Sequence, residues 1–136
     1  MKEIKGNQTV YLEDYDVTVN KYLTYAQIQQ IANAVVAASA NDADDTWANR
    51  ETNIDMLVLY HATDIGKEKL AEIGHDALLT SGLIDAVRYR IENIYSVNDA
   101  IDYIENNQRA INKLLKSLPK VLEETKGLQD LMKKHG

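Results

Sequence analysis

Residues 47–62 read Trp47-Ala48-Asn49-Arg50-Glu51-Thr52-Asn53-Ile54-Asp55-Met56-Leu57-Val58-Leu59-Tyr60-His61-Ala62. At 3.6 residues per turn, Trp47, Ile54, Leu57, Val58 and His61 fall on one stripe, and Met56 and Leu59 broaden it to nearly the full circumference. A helix that is apolar almost all round is a buried one, so this stretch predicts the central core helix of a helical fold. Asp45 or Thr46 supplies its N-cap.

Working outward toward the N-terminus, Asn41-Asp42-Ala43-Asp44-Asp45 is a break, because Asn and Asp side chains compete for the local backbone. Ahead of it a helix opens at Thr24 and places Tyr25, Ile28, Ile31, Val35 and Ala38 on one face. Residues 1–23 read differently. Thr9-Val10-Tyr11-Leu12 and Asp16-Val17-Thr18-Val19 are rich in β-branched and aromatic residues, which predicts a short β-hairpin or extended arm. Two short strands need a helical layer to cover them, so the arm belongs to one folding unit with the helices.

Toward the C-terminus, Thr63-Asp64-Ile65-Gly66 ends the central helix. Residues 67–81 form two short helical turns interrupted at Gly74, and Ser81-Gly82 is a further break. A helix over 83–94 turns Leu83, Ile84, Val87, Ile91 and Ile94 inward. The longest helix opens at Ser96, with Asp99 completing a capping-box pattern. Pro119 suits either the first turn of a final helix or a kink in one long helix. The expectation is mainly α: a compact bundle of five to six helices over residues 24–136, with the N-terminal β or extended arm over 1–23.

One regular pattern stands out. Val97, Ile101, Ile104, Gln108, Ile111, Leu115 and Leu118 follow steps of four and three residues over three heptads. Such a narrow seam packs against a neighbouring helix near +20°, and a polar residue within it, here Gln108, fixes register at some cost in stability. The neighbour is either internal, a helix after Pro119 folding back, or a second copy of the chain.

Composition limits the function classes. The 136 residues are 45% hydrophobic and 26% charged, with a net charge of −6 and no cysteine. Thiolate metal sites, disulfides and a cysteine nucleophile are thereby excluded. The N-terminal charges have no apolar stretch behind them, so no secretory signal is expected. No apolar run approaches the ~20 residues of a membrane span, and no membrane partner is expected. Residues 1–66 carry four bases against ten acids, and residues 67–136 carry eleven of each. This acidity lacks the counterion-release term that binds a phosphate backbone, which disfavours nucleic acid as a partner. The acidic half serves either as a solvated face or as a docking surface for a basic partner.

Chemistry is sparse. His61 and His75 are fourteen residues apart, without the spacing that puts two ligands on one helix face. His61 reads as a core residue and His75 as a loop residue without an adjacent Ser or Cys to activate. Asp42, Asp44 and Asp45 lack the glycine and terminal glutamate of a calcium loop and read as helix caps. No catalytic residue, cofactor-binding residue or metal ligand is predicted. The aromatic residues are more informative: eight are Tyr, one is Trp, and Phe is absent. Tyrosine suits half-buried sites and interfaces, since an apolar face ends in a polar tip. Tyr11, Tyr15, Tyr22 and Tyr25 crowd the arm and its junction with the first helix, where they either pin the arm or form a partner-binding face. Together with Val97, Ile101, Ile104, Gln108, Ile111 and Leu115 they are the predicted interaction residues.

Three stretches carry a resemblance: Tyr22-Leu23-Thr24-Tyr25-Ala26-Gln27-Ile28; Trp47 and Arg50 leading into Asn53-Ile54-Asp55-Met56-Leu57-Val58-Leu59-Tyr60 and Ala62-Thr63-Asp64; and Ser81-Gly82-Leu83-Ile84-Asp85-Ala86-Val87. Over residues 20–95 the chain resembles small proteins of poorly defined role encoded in the virion gene clusters of tailed bacteriophages of Gram-positive hosts. The resemblance implies a non-enzymatic virion component or assembly factor, located in the virion or the host cytoplasm. Its partners are then other virion proteins or itself, as a homo-oligomer. A small acidic inhibitor of a host nucleic-acid enzyme or defence complex is the alternative.

Overall fold

The computed structural model describes residues 6–41 and 47–135, with side chains described at 6–40, 47–114 and 116. Among the described residues are two strands, β1 (Thr9–Leu12) and β2 (Val17–Asn20), and six helices. The helices are α1 (Tyr25–Asn41), α2 (Trp47–Ala62), α3 (Lys67–Ile73), α4 (His75–Thr80), α5 (Leu83–Arg90) and α6 (Tyr95–His135). The expected fold class, mainly helical with a short N-terminal hairpin, is therefore observed. The chain divides into two compact units, Met1–Asp102 and Tyr103–Gly136. The proposed caps Asp45 and Thr46 and the acidic residues Asp42 and Asp44 lie outside the described residues.

In the first unit, β1 and β2 pair antiparallel from Thr9↔Asn20 to Leu12↔Val17. The four-residue turn between them holds Asp16 at φ 53°, a left-handed conformation that Asp tolerates better than most residues. Leu12, Val17 and Val19 are buried on one face of the ribbon. A lone two-stranded ribbon is marginal in water, and here the helices hold it. Val19 bridges to Thr63 at the end of α2, and the Asp64 amide donates to the Thr18 carbonyl at 3.2 Å. The Thr18 amide in turn donates to Asp64 Oδ1 at 3.0 Å.

Helix α1 begins with a reciprocal cap. The Gln27 amide donates to Thr24 Oγ1 at 3.1 Å, and the Thr24 amide donates to Gln27 Oε1 at 3.0 Å, so two orphan donors are satisfied at once. Ile28, Ile31, Ala32, Val35 and Val36 form its buried face. Each large aliphatic side chain so buried contributes about 1.5–3 kcal/mol. Tyr25 departs from the expected stripe and is 89% exposed, since it occupies the first position of the helix.

Helix α2 packs against α1, α3, α4 and α5, as a central helix should. Its buried residues are Ile54, Asp55, Val58, Leu59 and Ala62. Trp47, expected on the inward stripe, is 78% exposed at the first residue of the helix. Leu57 and His61 are half-buried, so the helix is not apolar-facing all round; a carboxylate holds an inward position instead.

The short helices turn where glycine permits. Gly74 separates α3 from α4 at φ 86°, ψ 155°, a region open to glycine almost alone. Gly82 follows α4 in the left-handed conformation at φ 84°, with its amide donating to the Leu79 carbonyl. A β-carbon at Gly82 meets the Tyr15 hydroxyl oxygen at 3.0 Å. Leu83, Ile84 and Val87 of α5 and Ile91 beyond it are buried as expected, and α5 stops at Arg90 rather than near Ile94.

Helix α6 starts one residue before the expected Ser96 and runs to His135 without interruption at Pro119. The internal helix hairpin therefore does not form. The flanking Ser117, Leu118, Lys120 and Val121 include no Gly, Asn or Asp, so a single proline removes one hydrogen bond without reversing the chain. Replacing Gly82 by Ala should cost about 1–2 kcal/mol, because the left-handed backbone is strained for a β-carbon and Tyr15 crowds it. A thermal melt that shows no loss of stability for this variant contradicts the described turn.

Candidate interaction surfaces

The four arm tyrosines do different things. The Tyr15 hydroxyl donates to the Ser81 carbonyl at 2.8 Å and fastens the hairpin turn to the α4–α5 junction. The Tyr22 hydroxyl donates to Glu92 Oε2 at 2.7 Å, and that hydrogen bond to the carboxylate holds the phenol proton on, raising its pKa. Beside it, the Leu23 amide donates to Asn93 Oδ1 and Asn93 Nδ2 donates back to the Leu23 carbonyl, both at 2.9 Å. Tyr11 bonds within the hairpin to Asp16, which raises its pKa in the same way. Tyr25 projects into solvent. Two of the four thus tie the arm to the helices, and the four do not form one continuous hydroxyl network.

An open groove of about 610 Å³ lies between the hairpin turn and α5. Tyr11, Tyr15 and Tyr89 line it together with Glu13, Asp14 and Asp85. Arg90 stacks its guanidinium 5.9 Å from the Tyr89 ring centroid at the same wall. This is an acidic, aromatic surface of the kind that attracts cationic side chains. Tyr89 was not singled out from the sequence; its position on the exposed side of α5, opposite Leu83, Ile84 and Val87, was the available signal.

The heptad residues divide between the two units. Val97 and Ile101 are buried in the first unit. In the second, Ile104 is half-buried, Gln108 is exposed, and Ile111 is 54% exposed. Leu114, beside the seam, is 63% exposed. The side chains of Leu115 and Leu118 lie outside those described.

A polar cluster that spacing did not reveal sits in the first unit. Asp55 of α2 is 5% exposed and accepts from Arg88 Nη1 of α5 at 2.8 Å and from His75 Nε2 of α4 at 2.9 Å. Glu51 adds a second carboxylate 3.7 Å from Arg88, and Asp76 lies 3.8 Å from the other ring nitrogen of His75. His75 is the first residue of α4, not a loop residue. A carboxylate-anchored imidazole can serve as a base, yet among the described residues no hydroxyl is hydrogen-bonded to it. The arrangement joins three helices through one buried carboxylate. No group of residues suited to hold a metal ion occurs among the described residues. Likewise, no helix among them is long and apolar enough to cross a membrane. Compared with protein families, curated proteins and solved structures, the chain matches none.

Two outcomes follow from these contacts. Arg88→Ala leaves a buried carboxylate without its guanidinium and should cost about 3 kcal/mol in urea denaturation; a change below about 0.5 kcal/mol would show that His75 alone holds Asp55. His61 is half-buried, and burial lowers its pKa from the ordinary 6.5. The unfolded chain then takes up the proton first, so His61 subtracts stability as pH falls through 6.5 and has no effect well above it. His61→Gln should therefore narrow the difference in melting temperature between about pH 8 and about pH 5.

Proposed function

We propose that this protein is a non-enzymatic structural or assembly component of a bacteriophage virion, acting through protein–protein contacts. The observation that carries the reading is the pair of exposed aliphatic side chains on α6, where Ile111 faces solvent at the heptad spacing of Gln108 and Leu114 faces solvent beside that spacing. Exposed Tyr25, Tyr89 and Trp47 add aromatic contact area on the first unit. The resemblance of residues 20–95 to small virion-module proteins supplies the phage context. Partners are other virion proteins or further copies of this chain, within the virion or the host cytoplasm. Mass spectrometry of purified particles and of assembly intermediates tests the reading: the protein should be recovered from one or the other, and absence from both sinks it.

A second reading has its own support. The unit Met1–Asp102 carries eight bases against seventeen acids, and its groove beside the hairpin is walled by Glu13, Asp14 and Asp85. Such a surface suits an inhibitor that occupies the basic cleft of a host nucleic-acid enzyme or defence complex. Copurification from host lysate with a basic nuclease, in place of recovery from particles, favours this second reading.

A further inference from the structure

We infer that the groove between the hairpin turn and α5 seats an arginine side chain from a basic segment of a partner protein; this rests on the protein-contact reading above and names the chemistry of one contact. Two elements wall the groove. The turn supplies the carboxylates of Glu13 and Asp14, and α5 supplies that of Asp85, all three exposed. None of the three enters an ion pair or a side-chain hydrogen bond among the described residues. Arg90, a cation of the same lining, stacks on the Tyr89 ring and pairs with none of them. The groove therefore keeps an uncompensated negative charge, and a cationic partner complements it.

Charge attracts any cation, and the aromatic walls select which one. Tyr11 and Tyr89 line the groove and are 56% and 86% exposed, so their ring faces are open to a partner. A guanidinium is planar and weakly hydrated; it lies on a ring face and still donates in its own plane to carboxylates. A lysine ammonium is a strongly hydrated point charge and does the first of these less well. Arg90, with its guanidinium 5.9 Å from the Tyr89 centroid, displays that stacking within the chain. The walls are also set before a partner arrives. The Tyr15 hydroxyl is held by the Ser81 carbonyl at 2.8 Å, and the Tyr11 hydroxyl is held by Asp16. Rings anchored at their tips lose little freedom on binding, which leaves more of the contact energy for affinity.

The test titrates the full chain against a short fluorescein-labelled peptide of alternating arginine and glycine, read by fluorescence anisotropy at about 50 mM salt, where screening is weak. Peptides with lysine or with neutral citrulline in place of arginine are run beside it. The arginine peptide should bind, the lysine peptide should bind about threefold more weakly, and the citrulline peptide should not bind. Asp85→Asn and Tyr89→Ala should each weaken the arginine peptide about threefold, and together about tenfold. Both side chains are exposed, so the thermal melts of these variants should match that of the unaltered chain. Glu68→Gln combined with Tyr25→Ala removes the same charge and an equally exposed ring outside the groove, and it should leave binding within about twofold. Failure of the arginine peptide to bind overturns the inference. So does an equal loss in the Glu68 and Tyr25 control, which assigns the attraction to net charge, or a lysine peptide that binds as tightly as the arginine one. Recovery from particles is independent of these titrations, so failure here leaves the virion reading standing, and failure there leaves the preference of the groove standing.

Discussion

The fold of the first unit turns on one buried carboxylate. Asp55 sits on the inward side of α2, where an apolar residue is the norm, and it holds Arg88 of α5 and His75 of α4 by separate oxygens. An isolated charge at such depth is costly, and pairing with a guanidinium and an imidazole makes the position tolerable. The same pairing fixes how α4 and α5 approach α2, because both oxygens are engaged in defined directions. Around this point the aliphatic core of Ile54, Val58, Leu59, Leu78, Ile84 and Val87 supplies the non-directional part of the stability.

The hairpin depends on the helices in turn. Its backbone is continued by Thr63 and Asp64 on one side and by the Lys21 carbonyl accepting from the Glu92 amide at 2.7 Å on the other. Tyr15 and Tyr22 reach across to Ser81 and Glu92 with their hydroxyls. Tyrosine fits these places because a phenylalanine of the same shape has no donor for a carbonyl or carboxylate at the ring tip. The groove left between the hairpin turn and α5 is acidic as a consequence of which turn residues the loop uses, Glu13 and Asp14.

Helix α6 applies one repeat to two environments. Val97 and Ile101 are covered within the first unit, whereas Gln108 and Ile111, continuing the same spacing, face solvent. A long helix of modest propensity gains most of its stability from a packed face. Val97 and Ile101 supply that packed face within the first unit.

Much of the fold was legible in the sequence. The strands showed as β-branched clusters, the breaks at Gly74 and Ser81-Gly82 as turn residues, and the core of α1 and α5 as apolar spacing, because each of these signals arises from neighbours along the chain. Tyr25 and Trp47 were misread as inward because periodicity does not say how far a covering layer extends toward a helix end. Pro119 was ambiguous because one proline both starts and interrupts helices, and only the continued backbone of α6 excludes a hairpin. The Asp55 cluster was invisible for a different reason: its members lie twenty and thirty-three residues away from the carboxylate in the chain. Sequence by itself determined the mainly helical fold class and the apolar spacing along its helices. Which tyrosines fasten the arm, which acid is buried, and which seam residues stay uncovered were decided only by tertiary structure, since pairing across such separations depends on where packed helices bring side chains together in space.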